Sequence, residues 1–246
     1  RIDDAWSIDG PADHIATRTL SADLAAFHSL SLKAAPSPGH NVITLRIRQG
    51  AVAAAPAEAS AQAYHLEIAS GRIQIAANGD AGLLYGVQTL IQLIRPNERG
   101  QLIAPVCTID DWPRLALRFL HWDTKHHQDR IPTLKRYIDW AVRFKANMIG
   151  FELEDKFSYP SNPIIGAPGA FTPAELQEIV NYGLERFVQV VPVIQSPAHM
   201  SYVLKHPKFA HLRADGNNYQ SDLCNEETYK LIFQMYDDLI AATKGI

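Results

Sequence analysis

Residues 148–153, MIGFEL, and residues 188–194, VQVVPVI, are the two apolar runs that decide the fold prediction. Runs of this length, rich in branched side chains, predict buried strands rather than helices. A similar run, LALRFLHW, occupies residues 115–122. A helical pattern follows each of the three runs, and such alternation of strand and helix is typical of a parallel sheet.

The three helical patterns have distinct signals. The second helix opens with Thr172-Pro173-Ala174-Glu175, a capping box with proline at the first helical position. The first helix is expected to bury residues at helical spacing, namely Leu134, Tyr137, Ile138, Ala141 and Val142. The third helix follows Asn225 and is expected to turn inward Tyr229, Ile232, Phe233, Tyr236 and Ile240.

Three βα units predict the fold class α/β, with residues 112–246 forming the first part of a (β/α)₈ TIM barrel that is truncated. A complete barrel needs eight units and about 250 residues. A doubly wound sheet is the alternative, but its first turn is usually rich in glycine. The turn after Trp122 reads Asp-Thr-Lys-His-His, without glycine, and therefore favours the barrel.

Residues 1–111 predict a separate, small α+β domain. Alternating apolar residues at 43–47 indicate a strand, and Ser70-Gly71 indicates the turn of a hairpin within residues 66–75. Asp80 is a plausible N-cap for a helix whose apolar face runs from Leu83 to Ile94. Pro96 is expected to end that helix.

Composition excludes several classes of function. The chain has 246 residues, of which 20% are charged, and a net charge of -3, so we expect a globular protein that does not bind nucleic acid. No apolar run reaches the roughly 18 residues that span a bilayer, so membrane insertion is not expected. Cys107 and Cys224 are far apart and indicate two buried thiols. The chain begins at Arg1, and no cellular compartment is predicted for the protein.

Several segments resemble a known family. DAGLLYGVQTLIQLI, at residues 80–94, resembles the helix of the small domain that precedes the barrel in glycoside hydrolase family 20 and in the related O-GlcNAcases. The second domain favours family 20, and most closely its hexosaminidase D branch. The segments that carry this resemblance are PRLALRFLHWD, NMIGFELEDKFSYP, VVPVIQSPAHMSYVLKHPKFAHLR and LCNEETYKLIFQMYDDLI.

The resemblance implies an activity. Family 20 enzymes are β-N-acetylhexosaminidases, which remove terminal β-linked N-acetylhexosamine by a retaining mechanism assisted by the acetamido group of the substrate. Their catalytic aspartate and glutamate follow the fourth strand, so we expect that pair beyond residue 246. Among the five adjacent acid pairs of this chain, only Glu154-Asp155 is predicted to follow a barrel strand. The implied partner is a glycan or glycoconjugate that carries N-acetylhexosamine, with no cofactor and no metal.

The resemblance also assigns site residues. Arg118 corresponds to the arginine that binds hydroxyls of the terminal sugar, for which a planar guanidinium is suited. A structural salt bridge is the alternative role. Asp155 and His199 correspond to the residues that support the acid and the base, although a histidine by itself is more often a packed loop residue. Glu154, at the same strand end, is a further candidate for binding the substrate.

Two positions depart from the family pattern. Gln195 and Ala198 replace an aspartate and a glycine of the motif before His199, and an amide cannot influence neighbouring acids as a carboxylate does. Glu152 and Glu154 alternate on one strand, and we expect at least one of them to pair with Arg118 or Lys125. Stacking on a sugar is considered for Trp122 and Tyr159, with core packing favoured for Trp122.

Three alternatives stay open. The chain as given could be a module that only binds an amino sugar, and an O-GlcNAcase-like hydrolase would have an Asp-Asp pair after its fourth strand. A metal-dependent hydrolase would use Glu152, Asp155 and His199 as ligands, with His121 or His126, although no HxxxH or HxH spacing supports it. Finally, an interrupted barrel leaves its third strand as an unpaired edge, so we expect this chain alone to self-associate or to be poorly soluble.

Overall fold

The chain forms two compact units in a computed structural model that describes residues 1–34, 41–124 and 127–244. Residues 1–117 and 142–145 belong to the first unit, and the rest of the chain belongs to the second. No helix among the described residues is long and apolar enough to cross a membrane.

The first unit contains the predicted α+β structure. Its eight strands are β1 (Ser7–Asp9), β2 (Lys33–Ala34), β3 (Val42–Ile47), β4 (Tyr64–Ala69), β5 (Arg72–Ala77), β6 (Arg95–Pro96), β7 (Leu102–Ile103) and β8 (Cys107–Asp111). Six of them form one sheet in the order β2-β1-β3-β5-β4-β8. β4 and β5 are antiparallel and joined by the predicted turn, where Gly71 has a φ of 74°, which suits glycine.

Two helices belong to the same unit, α1 (Ile15–His28) and α2 (Asp80–Leu93). The α2 prediction is confirmed, except that Gly79 is the N-cap and Asp80 lies in the first turn. α1 was not predicted, and its N-cap is unusual because the side chain of His14 accepts the hydrogen bond from Ala16 N. A close approach explains Gly82: a Cβ there would lie 2.4 Å from the carbonyl oxygen of Ala63.

The second unit contains the three predicted βα units. Its strands are β9 (Phe119–Asp123), β10 (Met148–Glu152) and β11 (Gln189–Val193), and its helices are α3 (Ile131–Arg143), α4 (Pro173–Leu184), α5 (Ser201–Leu204) and α6 (Glu226–Ala242). The strands form a parallel sheet in the order β11-β10-β9, as expected for the start of a β/α barrel. The first strand begins four residues later than the apolar run, and Leu115 is 67% exposed.

The sheet has two different faces. On one, Trp122 contacts Phe151 edge to face at 5.6 Å between ring centroids, and also contacts Tyr137 of α3 at 5.8 Å. Trp122 is partly exposed, and these two ring contacts support the packing role that was favoured for it. On the other face, a Cβ at position 150 would lie 2.5 Å from Phe119 Cζ, so Gly150 leaves room for the Phe119 ring.

The helix predictions have mixed outcomes. The capping box of α4 is confirmed, since Glu175 N donates to Thr172 Oγ1 and Thr172 N donates to the Glu175 carboxylate. The inward face of α6 was predicted wrongly, except for Ile232. Its buried residues are Thr228, Leu231, Ile232, Met235, Leu239 and Ala242. The predicted inward residues Tyr229, Phe233, Tyr236 and Ile240 are exposed, as is Tyr137 of α3. A broad apolar pattern allows more than one buried face, and here the face that contacts α4 is buried.

This exposed apolar surface leads to the first prediction. Phe233 is 60% exposed and Ile240 is 67% exposed on α6, and Phe119 and Leu120 are more than 40% exposed on the edge strand β9. Apolar patches and unpaired strand edges promote association. We expect residues 1–246 alone to self-associate in a concentration-dependent way in analytical ultracentrifugation.

The double variant F233K/I240K is expected to weaken that association, because it places charge on the exposed face of α6. Asp237→Lys, on the same helix, is the charge-matched control. A monomer at all concentrations, or association that the double variant leaves unchanged, would contradict the prediction.

Candidate functional site

The candidate site lies where the parallel strands of the second unit end. The register places Asp123, Glu152 and Val193 side by side, as the last residues of β9, β10 and β11. The segments after β10 and β11 contain Asp155 and His199, so the strand direction brings both to one edge of the sheet. This carboxyl edge is where α/β barrels bind their substrates.

Asp155 lies in a short 3₁₀ helix, Glu154–Lys156, directly after β10. Its Oδ1 is 2.5 Å from Lys156 Nζ, and its Oδ2 is 3.0 Å from Lys205 Nζ. Lys205 follows α5, which packs against the 3₁₀ helix. The side chain of Asp155 is 15% exposed. Two elements therefore hold one partly buried carboxylate through opposite charges.

The two lysines determine the protonation of Asp155. Burial by itself would raise the pKa of this carboxyl, but the hydrogen bonds and charges of Lys156 and Lys205 outweigh burial and lower the pKa. Asp155 is therefore an anion at neutral pH and is suited to orienting a donor, not to giving up a proton.

Glu154 has a left-handed backbone, with a φ of 44°, which is uncommon for a residue with a side chain. Its carbonyl oxygen accepts a hydrogen bond of 3.0 Å from Tyr159 Oη. Tyr159 is fully buried, and burial raises the pKa of its phenol. The suggestion that Tyr159 stacks on a sugar is thus wrong, because the ring supports the turn from inside.

His199 follows β11 and is exposed, with a φ of 57°. The turn before it contains a cis peptide bond between Ser196 and Pro197. Tyr202 Oη donates to Gln195 O at 3.1 Å, and Tyr219 Oη lies 2.8 Å from His199 Nε2. The turn is therefore held by side chains on both sides of His199.

The four predicted site residues do not form one cluster. Glu154, Asp155 and His199 lie at the carboxyl edge, but Asp155 is bonded to lysines and His199 to Tyr219, not to each other. Arg118 precedes β9 at the opposite end, where its backbone N donates to Asn147 Oδ1 at 2.8 Å. Five strand residues separate it from the carboxyl edge by about 17 Å.

Glu152 is paired with His121. Its side chain is 0% exposed, and its Oε2 is 2.8 Å from His121 Nε2. Lys125, the partner proposed from the sequence, and His126, a proposed metal ligand, lie outside the described residues. Within the described ranges, no three side chains of histidine, cysteine, aspartate or glutamate are grouped as a metal site would need.

Three residues at this edge were not predicted from the sequence, namely Lys156, Lys205 and Tyr219. Lys156 adjoins a predicted site residue, and a charge next to Asp155 was a signal that could have been used. Lys205 and Tyr219 reach the edge through the loops around α5, and their spacing in the sequence does not indicate it.

The fold and this edge define the start of a β/α-barrel protein with a carboxylate and a histidine at the carboxyl edge of its strands. Comparison with protein-family models gives the family. Residues 4–112 match glycosyl hydrolase family 20, domain 2, and residues 116–245 match the glycosyl hydrolase family 20 catalytic domain. The chain therefore belongs to glycoside hydrolase family 20, and the resemblance drawn from the sequence is confirmed.

Similar proteins agree with this assignment. A β-N-acetylhexosaminidase of Cellulomonas fimi is 29% identical over 79% of this chain and 42% of its own length. Human hexosaminidase D is 32% identical over 41% of this chain and 21% of its own length. The structure of the family 20 β-N-acetylhexosaminidase from Streptomyces coelicolor superimposes over 100% of this chain and 55% of the other, with a TM-score of 0.77 and 28% identity. This chain thus spans about half or less of the length of these relatives.

The paired lysines generate a stability prediction. Because the pKa of Asp155 is lowered in the folded protein, its contribution to stability is present above the ordinary aspartate pKa of about 4 and is lost as pH falls through the lowered value. We expect Asp155→Asn to reduce the free energy of unfolding by about 1–2 kcal/mol at pH 7. The difference from the wild type should shrink below about pH 4.

Urea unfolding at several pH values measures this difference. Asp237→Asn is the matched control, since Asp237 is exposed on α6 and has no ion pair or hydrogen bond in the described part of the chain. If Asp155→Asn and Asp237→Asn changed the free energy of unfolding equally, the lysines would not stabilise Asp155. A difference between Asp155→Asn and the wild type that is constant with pH would also contradict that stabilisation.

Proposed function

We propose that the protein to which this chain belongs removes terminal β-linked N-acetylhexosamine from glycans or glycoconjugates. The observation that carries the proposal is the match of residues 116–245 to the family 20 catalytic domain, with Asp155 and His199 at the carboxyl edge of its strands. The β-N-acetylhexosaminidase of Cellulomonas fimi supports the same activity. The chain contains no Asp-Glu dipeptide, and the proposal places the acid and base in residues outside it.

We infer a retaining mechanism in which the acetamido oxygen of the substrate attacks the anomeric carbon, as in the substrate-assisted exception to the two-carboxylate scheme. In this mechanism one carboxylate orients the acetamido group, and another protonates the leaving oxygen and later activates water. His199 and Asp155 are proposed to support those two groups. Asp155 is fixed as an anion by Lys156 and Lys205 and therefore presents acceptor lone pairs. Glu154 is proposed to contact the sugar from the same turn.

Division into domains is proposed on the same basis. Residues 1–111 would form the accessory α+β domain, and residues 112–246 the first part of the catalytic barrel. The family matches at 4–112 and 116–245 support a boundary near residue 112.

The activity is tested with a chromogenic β-N-acetylglucosaminide. We expect hydrolysis by the whole protein and none by residues 1–246 alone, because the acid and base lie elsewhere. The matching β-glucoside, which lacks the acetamido group, should not be cleaved. Cleavage of both glycosides at similar rates would exclude substrate assistance, and no cleavage by the whole protein would favour a sugar-binding module.

In the whole protein, His199→Gln and Asp155→Asn are expected to lower kcat by about 100-fold, because each removes support from a proton-transferring group. Asp237→Asn is the control and should leave kcat unchanged. A wild-type kcat in both variants would show that neither His199 nor Asp155 supports catalysis.

The sugar-binding role of Arg118 stays a prediction with its own test. If the guanidinium binds sugar hydroxyls, Arg118→Ala raises KM about tenfold, the equivalent of about 1.4 kcal/mol. If Arg118 serves the opposite end of the sheet, KM is unchanged and the melting temperature falls. Its position before β9 favours the second result.

A further inference from the structure

Residues 214–221 form a loop that is bonded to the turn carrying His199. Tyr219 lies in this loop, and its carbonyl oxygen accepts a hydrogen bond of 2.9 Å from Met200 N. Its own N–H donates to Asn217 Oδ1 at 2.8 Å. Ser221 N donates to Pro197 O at 3.0 Å, and Ser221 Oγ donates to the same oxygen at 3.2 Å. The backbone of Tyr219 is therefore fixed against the residues before and after His199.

The side chain of Tyr219 contacts the imidazole directly. Tyr219 Oη lies 2.8 Å from His199 Nε2, and the two ring centroids are 4.9 Å apart with an angle of 59° between the planes. This is the only hydrogen bond of the His199 ring in the described ranges of the chain. The ring therefore has one fixed nitrogen, and its Nδ1 is the nitrogen left for other groups at the carboxyl edge.

We propose that Tyr219 is a positioning residue that sets the tautomer and orientation of His199. This inference rests on the proposed function, in which His199 supports the catalytic groups. It adds Tyr219 to that site and assigns the proton of neutral His199 to one of the two ring nitrogens.

The hydrogen bond between Tyr219 Oη and His199 Nε2 can run in either direction. A phenol can donate or accept, whereas in neutral imidazole one nitrogen donates and the other accepts. The tautomer of a histidine is set by the bond that its other nitrogen makes. With Tyr219 Oη as the donor to Nε2, the proton of neutral His199 resides on Nδ1. When His199 is protonated, the same phenol accepts from Nε2–H, so the ring keeps its orientation in both states.

The backbone explains why His199 needs such support. Its φ of 57° is in the left-handed region, which is uncommon for a residue with a side chain. The turn fixes the direction of the Cα–Cβ bond, but the exposed imidazole can still rotate about its side-chain bonds. A hydrogen bond and a ring contact from one residue restrict that rotation, which is how a supporting side chain pre-organises a site.

The test compares Tyr219→Phe with Tyr236→Phe in the whole protein. Both tyrosines are similarly exposed, at 44% and 40%, and Tyr236 makes no described hydrogen bond. The first variant keeps the ring contact with His199 and removes only the hydroxyl. Nitrogen-15 spectra of histidine-labelled protein at neutral pH report the tautomer, and His199→Gln identifies the signal of His199.

We expect the Nδ1–H tautomer in the wild type and in Tyr236→Phe, and a shift towards Nε2–H in Tyr219→Phe. The same tautomer in all three proteins would overturn the inference. This measurement needs no substrate, so it stands or fails independently of the proposed hydrolysis.

Kinetics of the same variants test the link to catalysis. Tyr219→Phe is expected to lower kcat about tenfold with KM within about twofold, because it disturbs orientation and not sugar binding. Tyr236→Phe should match the wild type. A raised KM with unchanged kcat would identify Tyr219 as a sugar contact, and unchanged kcat and KM would show that the hydrogen bond has no part in catalysis. Either result overturns the positioning role.

Discussion

Parallel hydrogen bonding between β9, β10 and β11 is the constraint on which the candidate site depends. The register pairs Glu152 with both Asp123 and Val193, so all three strands end at one level. Side chains that are far apart in the sequence, such as Asp155 and His199, are thereby brought to the same edge. Gly150 assists by leaving room for the ring of Phe119 between neighbouring strands.

The polar groups at this edge are organised in separate pairs. Lys156 and Lys205 neutralise Asp155, and Tyr219 holds His199. Lys205 and Tyr219 reach these residues from the end of α5 and from a loop, whereas Lys156 is the direct neighbour of Asp155. The cost of partly burying the charge of Asp155 is offset locally, because two lysines bond to its carboxylate. In the proposed function, these contacts fix the polar groups of the edge in advance, as efficient catalysis requires.

The sequence predicted those parts of the fold that depend on interactions between residues close together in the chain. The capping box at Thr172 and Glu175, the turn at Gly71 and the apolar face of α2 were all read from the sequence, because each depends on residues a few positions apart. The buried face of α6 was predicted wrongly, since Tyr229 and Met235 lie on different faces and only the contact with α4 decides between them. α1 was missed because its cap is a histidine, which is not a typical N-cap residue.

The residues of the candidate site divide in the same way, into those that local signals predicted and those that long-range packing determines. Asp155 and His199 lie in the segments that follow β10 and β11, and they were predictable from strand direction and from the family pattern. Lys205 and Tyr219 were not, because long-range packing brings them there. A crystal structure of the whole protein with N-acetylglucosamine bound tests the position of the site most directly. We expect the sugar to lie at the carboxyl edge, within reach of Asp155, His199 and Glu154. A sugar bound at the opposite end, near Arg118, or away from the sheet would contradict this expectation.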